Sequence, residues 1–292
     1  MVTPLVHYVS PDEDSARWDH FRFREGDIVV STRSKSGTTW VQTICALLLH
    51  GPDLPAQLSV LSPWLDHTVR PVEDVVADLE AQTHRRVVKT HTPLDGVPVD
   101  PRATYLVVGR HPLDLAVSLY HQSDNIDRAR LAELTGVPAR PRGERPSLHD
   151  WLVSWTRAET TALEQMDSLV GVLHHVTDAW QRQGDQAVVL VHYADLLADL
   201  EGEMRRIAAR LGVEVPEAAW PALVEAATFE SMRARSDDLV PDAVGVLKDR
   251  TRFFRSGTSG SGRAVLSAEE LRDYEHRVEG LAPAEVVAWL HR

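Results

Sequence analysis

Lys35 stands in the run Ser31-Thr32-Arg33-Ser34-Lys35-Ser36-Gly37-Thr38-Thr39-Trp40, directly after the β-branched residues Ile28, Val29 and Val30. A continuous β-branched stretch reads as a strand buried on both faces. Beyond the run, Trp40, Val41, Ile44, Cys45, Leu47 and Leu48 recur at helical spacing, so the strand passes through a small polar turn into a helix. The first N–H groups of such a helix have no partner within it and lie at the positive end of its dipole. Lys35 adds a full charge, and Ser36, Thr38 and Thr39 add hydroxyl donors, so the turn suits an anion such as phosphate. A second strand-like run, Ala103 to Arg110, ends in an arginine ahead of His111-Pro112, where proline fits the first helical position. A guanidinium can give two hydrogen bonds to one phosphate and stays charged at any working pH.

The triphosphate P-loop, G-x-x-x-x-G-K-[ST], puts its lysine after the second glycine. Here the order is reversed, with Lys35 ahead of Gly37 and Thr32 where the first glycine would stand. The run Lys35 to Trp40 resembles instead the 5′-phosphosulfate loop of cytosolic-type sulfotransferases, P-K-S-G-T-T-W, with Ser34 in place of the proline. Arg110-His111-Pro112-Leu113-Asp114 through Ser118 resembles the 3′-phosphate motif of the same family, R-[ND]-P-x-D-x-x-x-S, and Lys89-Thr90-His91-Thr92-Pro93-Leu94 resembles its K-T-H-x-P-L stretch.

The resemblance spans roughly residues 20 to 290 and implies an enzyme that transfers a sulfuryl group from 3′-phosphoadenosine 5′-phosphosulfate (PAPS) to an acceptor hydroxyl or amine. By the same resemblance, Lys35, Ser36, Gly37, Thr38 and Thr39 hold the 5′ group, and Arg110 and Ser118 hold the 3′-phosphate. Lys35 and Lys89 are the catalytic cations, and no metal is needed. His91 is the catalytic base, a role for which imidazole suits because it titrates near working pH. Trp40 and Tyr193 lie near the adenine, and Thr228, Phe229 and Met232 close over it. Phe253-Phe254-Arg255-Ser256-Gly257 through Arg263 resembles the lid R-K-G-x-x-G-D-W-K, but Ser256 replaces the lysine and Ser261-Gly262 the Asp-Trp pair. Arg255, Ser256 and Gly257 are then the donor-binding part of a lid that has lost charge, and a weaker or more mobile clamp is expected. Asp114 reads as a structural carboxylate in a first helical turn.

Strands at 27–31, 86–89, 103–109 and 187–193, separated by helical patterns, must position these groups. That alternation predicts an α/β fold with a central parallel sheet flanked by helices, the P-loop-NTPase-like sulfotransferase fold, in one domain over residues 1–292. Fourteen histidines make any single one a weak candidate, and His67, His84, His174 and His175 read as surface or core residues. The absence of H-E-x-x-H and of Cys/His clusters leaves a zinc hydrolase without support. A net charge of −12 argues against a nucleic-acid surface, so the cations must form a local site. A single cysteine, Cys45, fits a reducing compartment, and no signal-like or 20-residue apolar stretch is seen, so a cytoplasmic location without a transmembrane segment is expected.

The acceptor is expected between loops around Leu61–His67, Pro93–Val97, Gln122–Ile126 and residues 136–155, with Trp64, Trp151 and Trp155 as apolar walls. Arg140 to Pro146 reads as a mobile loop. A small-molecule, lipid or secondary-metabolite hydroxyl fits. No dimerisation motif is recognisable around Arg263 to Glu270, which leaves the oligomeric state open. Two rivals are a kinase or NTPase of related fold and a non-catalytic protein that binds PAPS or its product, adenosine 3′,5′-bisphosphate (PAP).

Overall fold

Apolar residues on both faces of four short segments require layers above and below them. The computed structural model, which describes residues 4–138, 143–242, 244–255 and 257–292, joins the segments into one parallel sheet. Its strands are β1 (Ile28–Thr32), β2 (Val87–Thr90), β3 (Thr104–Gly109) and β4 (Val188–His192), in the order β2-β1-β3-β4. Ile28, Val30, Leu106, Val108, Val189 and Val191 face helix α1 (Thr38–His50), while the alternate residues Val29, Val88, Tyr105, Val107 and Val188 pack with Trp18, Phe21, Leu65 and Leu79. A further apolar cluster joins the helices Pro112–Asn125, Leu148–Arg157 and Leu169–Gln181 to the C-terminal pair Ala268–Leu281 and Ala284–Leu290.

β1 and β3 are neighbours, yet the chain leaves β1 for β2 on one side and leaves β3 for β4 on the other. Such a switch in strand order opens a crevice at the carboxyl ends of the strands. Thr32 pairs with Val108 in register, so the turn that follows β1 runs beside Arg110, which follows β3. The strand bounds depart from the sequence reading at Tyr193. That residue opens the helix Tyr193–Ala198 instead of ending β4, because His192 Nδ1 accepts the N–H of Ala194 at 3.1 Å and turns the chain.

Of the loop expected to be mobile, Arg140–Arg142 lie outside the described residues. Its far end is tied down: Arg145 pairs with Asp124 and covers the Tyr120 ring at 3.6 Å. Among the described residues no helix is long and apolar enough to cross a membrane, and no group of three or more His, Cys, Asp or Glu side chains is placed to hold a metal ion.

At the opposite edge of the sheet from the crevice, Asp27 and Arg86 are both buried and meet through Nε–Oδ1 at 2.8 Å and Nη2–Oδ2 at 2.5 Å. Arg86 also donates to the Arg22 carbonyl and lies over the Phe21 ring, so little of its charge is left unsatisfied. Removing one partner strands the other as a buried charge, which costs about 3–5 kcal/mol. Asp27→Ala should therefore lower unfolding stability by about that amount in urea titration, whereas a loss under about 1 kcal/mol would show that Arg86 is satisfied by its other contacts.

Candidate active site

α1 begins at Thr38, with Gly37 as its capping residue at φ 112°. A β-carbon there would sit 2.9 Å from the Tyr193 ring, so glycine is needed both for the backbone angle and for the approach. Lys35, at φ 66°, is the one non-glycine residue with positive φ among the described residues. A lysine held in that left-handed region is strained, and such strain persists where surrounding structure dictates it. A hydrogen bond between the Thr32 and Thr38 hydroxyls ties the two ends of the turn, and Arg110 Nη1 donates to the Lys35 carbonyl at 3.0 Å. The first turn of α1 carries no acidic residue that would neutralise its dipole.

The turn opens on a cavity of about 710 Å³, within the range of small-ligand sites. Lys35, Lys89 and Arg110 all line it, and among the described residues none of the three forms an ion pair. Each lies instead over an aromatic ring: Lys35 Nζ is 3.9 Å from the Phe253 centroid, Lys89 Nζ 3.5 Å from Trp64, and Arg110 Cζ 4.2 Å from Tyr193. Loss of water, then repulsion from Arg110, Lys89 and Arg255, pushes the Lys35 ammonium down to about 7. Burial pushes Lys89 down to about 8, against the pull of Glu13, Asp66 and Asp12. Cations in this condition gain most from a bound anion.

His91 follows β2 directly and is buried. Its Nδ1 lies 2.6 Å from the Thr32 carbonyl, which can only accept, so Nδ1 carries the proton and Nε2 is left as the basic nitrogen. Burial, then the charges of Lys89 and Arg33, hold the imidazole well below its usual range, so it is neutral at neutral pH. Trp64 meets His91 edge to face and stacks on His67 at 3.9 Å. Contrary to its reading as an ordinary surface or core residue, His67 lines the cavity. Burial and the charges of Lys89 and Arg17 push it down to about 3, so it too is neutral.

Most of the residues singled out from the sequence come to this one cavity: Lys35, Gly37, Thr38, Thr39, Trp40, Lys89, His91, Arg110, Ser118, Tyr193, Phe229, Met232, Arg255 and Gly257. Two do not reach its wall. Ser36 is buried beneath the turn, and Thr228 caps the helix Phe229–Ala234, its hydroxyl receiving the Ser231 N–H at 3.2 Å. Ser256 lies outside the described residues. Trp40 is largely buried, with its indole N–H spent on the Ala227 carbonyl at 2.8 Å and its ring edge-on to Tyr193. Trp64, Trp151, Trp155, Gln122 and Ile126 line the cavity as expected, but the Pro93–Val97 loop does not, since Leu94 and Val97 are core and Asp95 is held by Tyr8 and His174.

The lid is better anchored than its sequence suggests. Asp114 receives the N–H groups of Gly260 and Gly262 at 2.7 and 2.8 Å, and Arg110 Nη2 donates to the Thr258 carbonyl at 3.1 Å. Sequence reasoning missed Arg33, which donates to the His91 carbonyl and pairs with Asp167 at 2.6 Å, although it stands inside the motif turn. It also missed the segments Val9–Glu13 and Leu163–Asp167, which carry no motif.

The family model described as "Sulfotransferase domain" matches residues 25–280. A glycolipid sulfotransferase of Mycobacterium bovis is 40% identical, covering 99% of this chain and 95% of its own, and a protein of the same name from Mycobacterium tuberculosis has the same identity and coverage. Among solved structures, a retinol dehydratase in complex with retinol and PAP aligns with a TM-score of 0.70 at 22% identity, covering 92% of this chain and 86% of its own. A mouse sulfotransferase complexed with PAP aligns with a TM-score of 0.68 at 19% identity, covering 94% and 92%.

An anion that binds against Lys35 raises its pKa, so the complex holds more protons than the free protein above pH 7. A sulfate- or phosphate-bearing anion that meets the Lys35 turn should therefore bind this chain with proton uptake at pH 8. Its affinity should fall toward tenfold for each pH unit above that point. Calorimetry in two buffers of different ionisation enthalpy reads the uptake, and a value of zero would show that the anion does not meet the Lys35 charge.

Proposed function

The chain belongs to the sulfotransferase domain family, and on that premise we propose that its cavity binds PAPS and transfers the sulfuryl group to a hydroxyl of an amphiphilic lipid or small molecule. The observation that carries this reading is the pairing, in one cavity, of un-ion-paired cations beside an α1 N-terminus with a neutral histidine whose Nε2 is the basic nitrogen. The donor set fits the group: Lys35 with the Gly37–Thr39 turn suits a 5′-phosphosulfate, and Arg110, Ser118 and Arg255 suit a 3′-phosphate. PAPS supplies the electrophilic sulfur.

On the acceptor side, Nε2 of His91 takes the hydroxyl proton as the oxygen bonds to sulfur and the bond from sulfur to the phosphate oxygen breaks. The charge that grows on the departing oxygen meets the Lys35 ammonium, which the bound anion keeps protonated. Lys89 adds a second positive field, and the loose transition state of such transfers makes positioning and charge the protein's main tools. Trp151, Trp155, Ile126 and Leu247 offer apolar walls for the body of the acceptor, in keeping with the glycolipid named for the 40% identical relatives. We take the reaction to be cytoplasmic, a setting that the single free cysteine, Cys45, suits.

PAP should raise the melting temperature without added metal, since a ligand at 100 times its Kd contributes about 2.7 kcal/mol. Stabilisation by ATP with magnesium alone would point to the NTPase reading instead. His91→Ala should lower kcat by about 10²-fold or more and leave the Kd for PAP within a few-fold. Because burial, then the charges of Lys89 and Arg33, hold the free imidazole well below its usual range, the acid limb of kcat/KM should lie on the acid side of an ordinary histidine's titration. Unaltered turnover in His91→Ala, with PAP still bound, would mark the chain as using another base.

A further inference from the structure

One sector of the cavity is polar for reasons that donor binding does not explain. The segment Val9–Glu13 is laid along residues 64–68 by backbone contacts: Glu13 bridges to His67, Thr68 N–H donates to the Asp12 carbonyl at 2.9 Å, and Asp14 N–H donates to that of Asp66 at 2.8 Å. That strip carries Trp64, which touches both Lys89 and His91, so Asp12, Glu13 and His67 stand on the acceptor side of the base. Arg33 closes the sector from β1 by its contacts to the His91 carbonyl and to Asp167. Trp155, whose indole N–H donates to the Asp167 carbonyl at 2.9 Å, joins it to the apolar walls.

Two members of this sector are buried with polar atoms unused. Glu13 is 6% exposed and Arg33 2%, both line the cavity, and neither Glu13 Oε2 nor Arg33 Nε has a hydrogen-bond partner. Leaving a charged or polar group so buried without a partner is costly, and natural structures rarely do so without a use. The mixture of signs decides what the partner is. A cationic group here would meet Lys89 and Arg33, and an anionic one would meet Asp12 and Asp167. A neutral hydroxyl, which both donates and accepts, satisfies a carboxyl oxygen and a guanidinium N–H without either conflict. Burial pushes the Glu13 carboxyl up to about 8, which leaves it mostly uncharged at neutral pH and equally able to give and receive such a bond.

We propose that the sector built by Asp12, Glu13, Arg33 and His67 is a subsite for a neutral polyhydroxylated group on the acceptor, with Glu13 bonding a hydroxyl that neighbours the one presented to His91. The proposal rests on the sulfuryl-transfer reading above and narrows it: the acceptor is a polyol joined to an apolar body, and a simple phenol, sterol or alkanol lacks the second hydroxyl that the subsite receives.

Calorimetric titration of PAP-saturated protein with octyl β-D-glucoside, 1-octanol and octylammonium tests it without turnover. The glucoside should bind at least tenfold more tightly than octanol, the effect of about one well-made hydrogen bond in a buried site. Glu13→Leu should weaken the glucoside by about tenfold or more, Glu13→Gln by less, and both should leave octanol and PAP binding unchanged. Octanol equal to the glucoside, octylammonium tighter than both, or no binding of any of the three overturns the subsite. So does a Glu13 variant that loses PAP together with the glucoside, since Glu13 would then be holding the fold. Failure of the unaltered protein to bind PAP at all is a different result, and it falls on the donor reading.

Discussion

The hydrogen bond from Arg110 to the Lys35 carbonyl is the contact on which the site depends, because it locks two cations side by side at the end of adjacent strands. Lys35 would not otherwise hold its left-handed backbone, and the carbonyl it presents is aimed by that conformation. Burying these charges, and then bringing them together, costs free energy, visible in the ammonium pushed down to about 7. A carboxylate partner would relieve that cost but would also cancel the field a ligand needs. The aromatic faces of Phe253, Trp64 and Tyr193 are the intermediate solution: a desolvated cation over a ring gains about 2 kcal/mol without a counter-charge that would cancel its field.

The acceptor side follows the same logic with the signs moderated. Thr32, the last residue of β1, fixes the His91 tautomer through its carbonyl, and Arg33, the next residue, holds the His91 backbone while pairing with Asp167. One strand end therefore starts the Lys35 turn, orients His91 and pins the loop at Asp167. A displacement of that strand end would disturb all three together. Its position is in turn set by burial: each residue of β1 is inaccessible to solvent, and the strand pairs on both sides.

Much of this was legible in the sequence. The four strands fell within one residue of their observed bounds, the Tyr193 end included, because β-branched runs buried on both faces leave no competing helical period. That Lys35, Lys89, His91 and Arg110 would meet in one cavity could be read ahead because the residues at strand ends are encoded locally, in a few adjacent positions. What was not legible depends on contacts between distant segments. Glu13 and His67 meet through an antiparallel bridge that no periodicity announces, and Arg33 gains its meaning only from Asp167, far along the chain. Ser36 and Thr228 stand apart from the cavity wall for the opposite reason. Their hydroxyls match a pattern, but Ser36 is buried and that of Thr228 is used in a helix cap, a competing use that small hydroxyl side chains often find.

The lid shows how a lost motif can be replaced by geometry. With Ser261-Gly262 where an Asp-Trp pair was expected, the sequence suggested a looser clamp, yet Asp114 in the first turn of the helix Pro112–Asn125 receives two backbone N–H groups of the loop. Gly262 makes this possible, since a β-carbon there would lie 2.4 Å from the Leu113 carbonyl carbon, far inside contact distance. Two of the bonds that hold the loop thus run from backbone amides to a carboxylate, and Arg110 adds one N–H to the Thr258 carbonyl. Arg255 and the free donors of Arg110 are left for the ligand, and a loop already pinned gives up little conformational freedom on closing. Charge removed from the lid and order added to its anchor act in opposite directions on donor affinity, and the charge-assisted bonds to Asp114, each worth about 1.5–3 kcal/mol, are of the same size as the lysine contact that Ser256 cannot make.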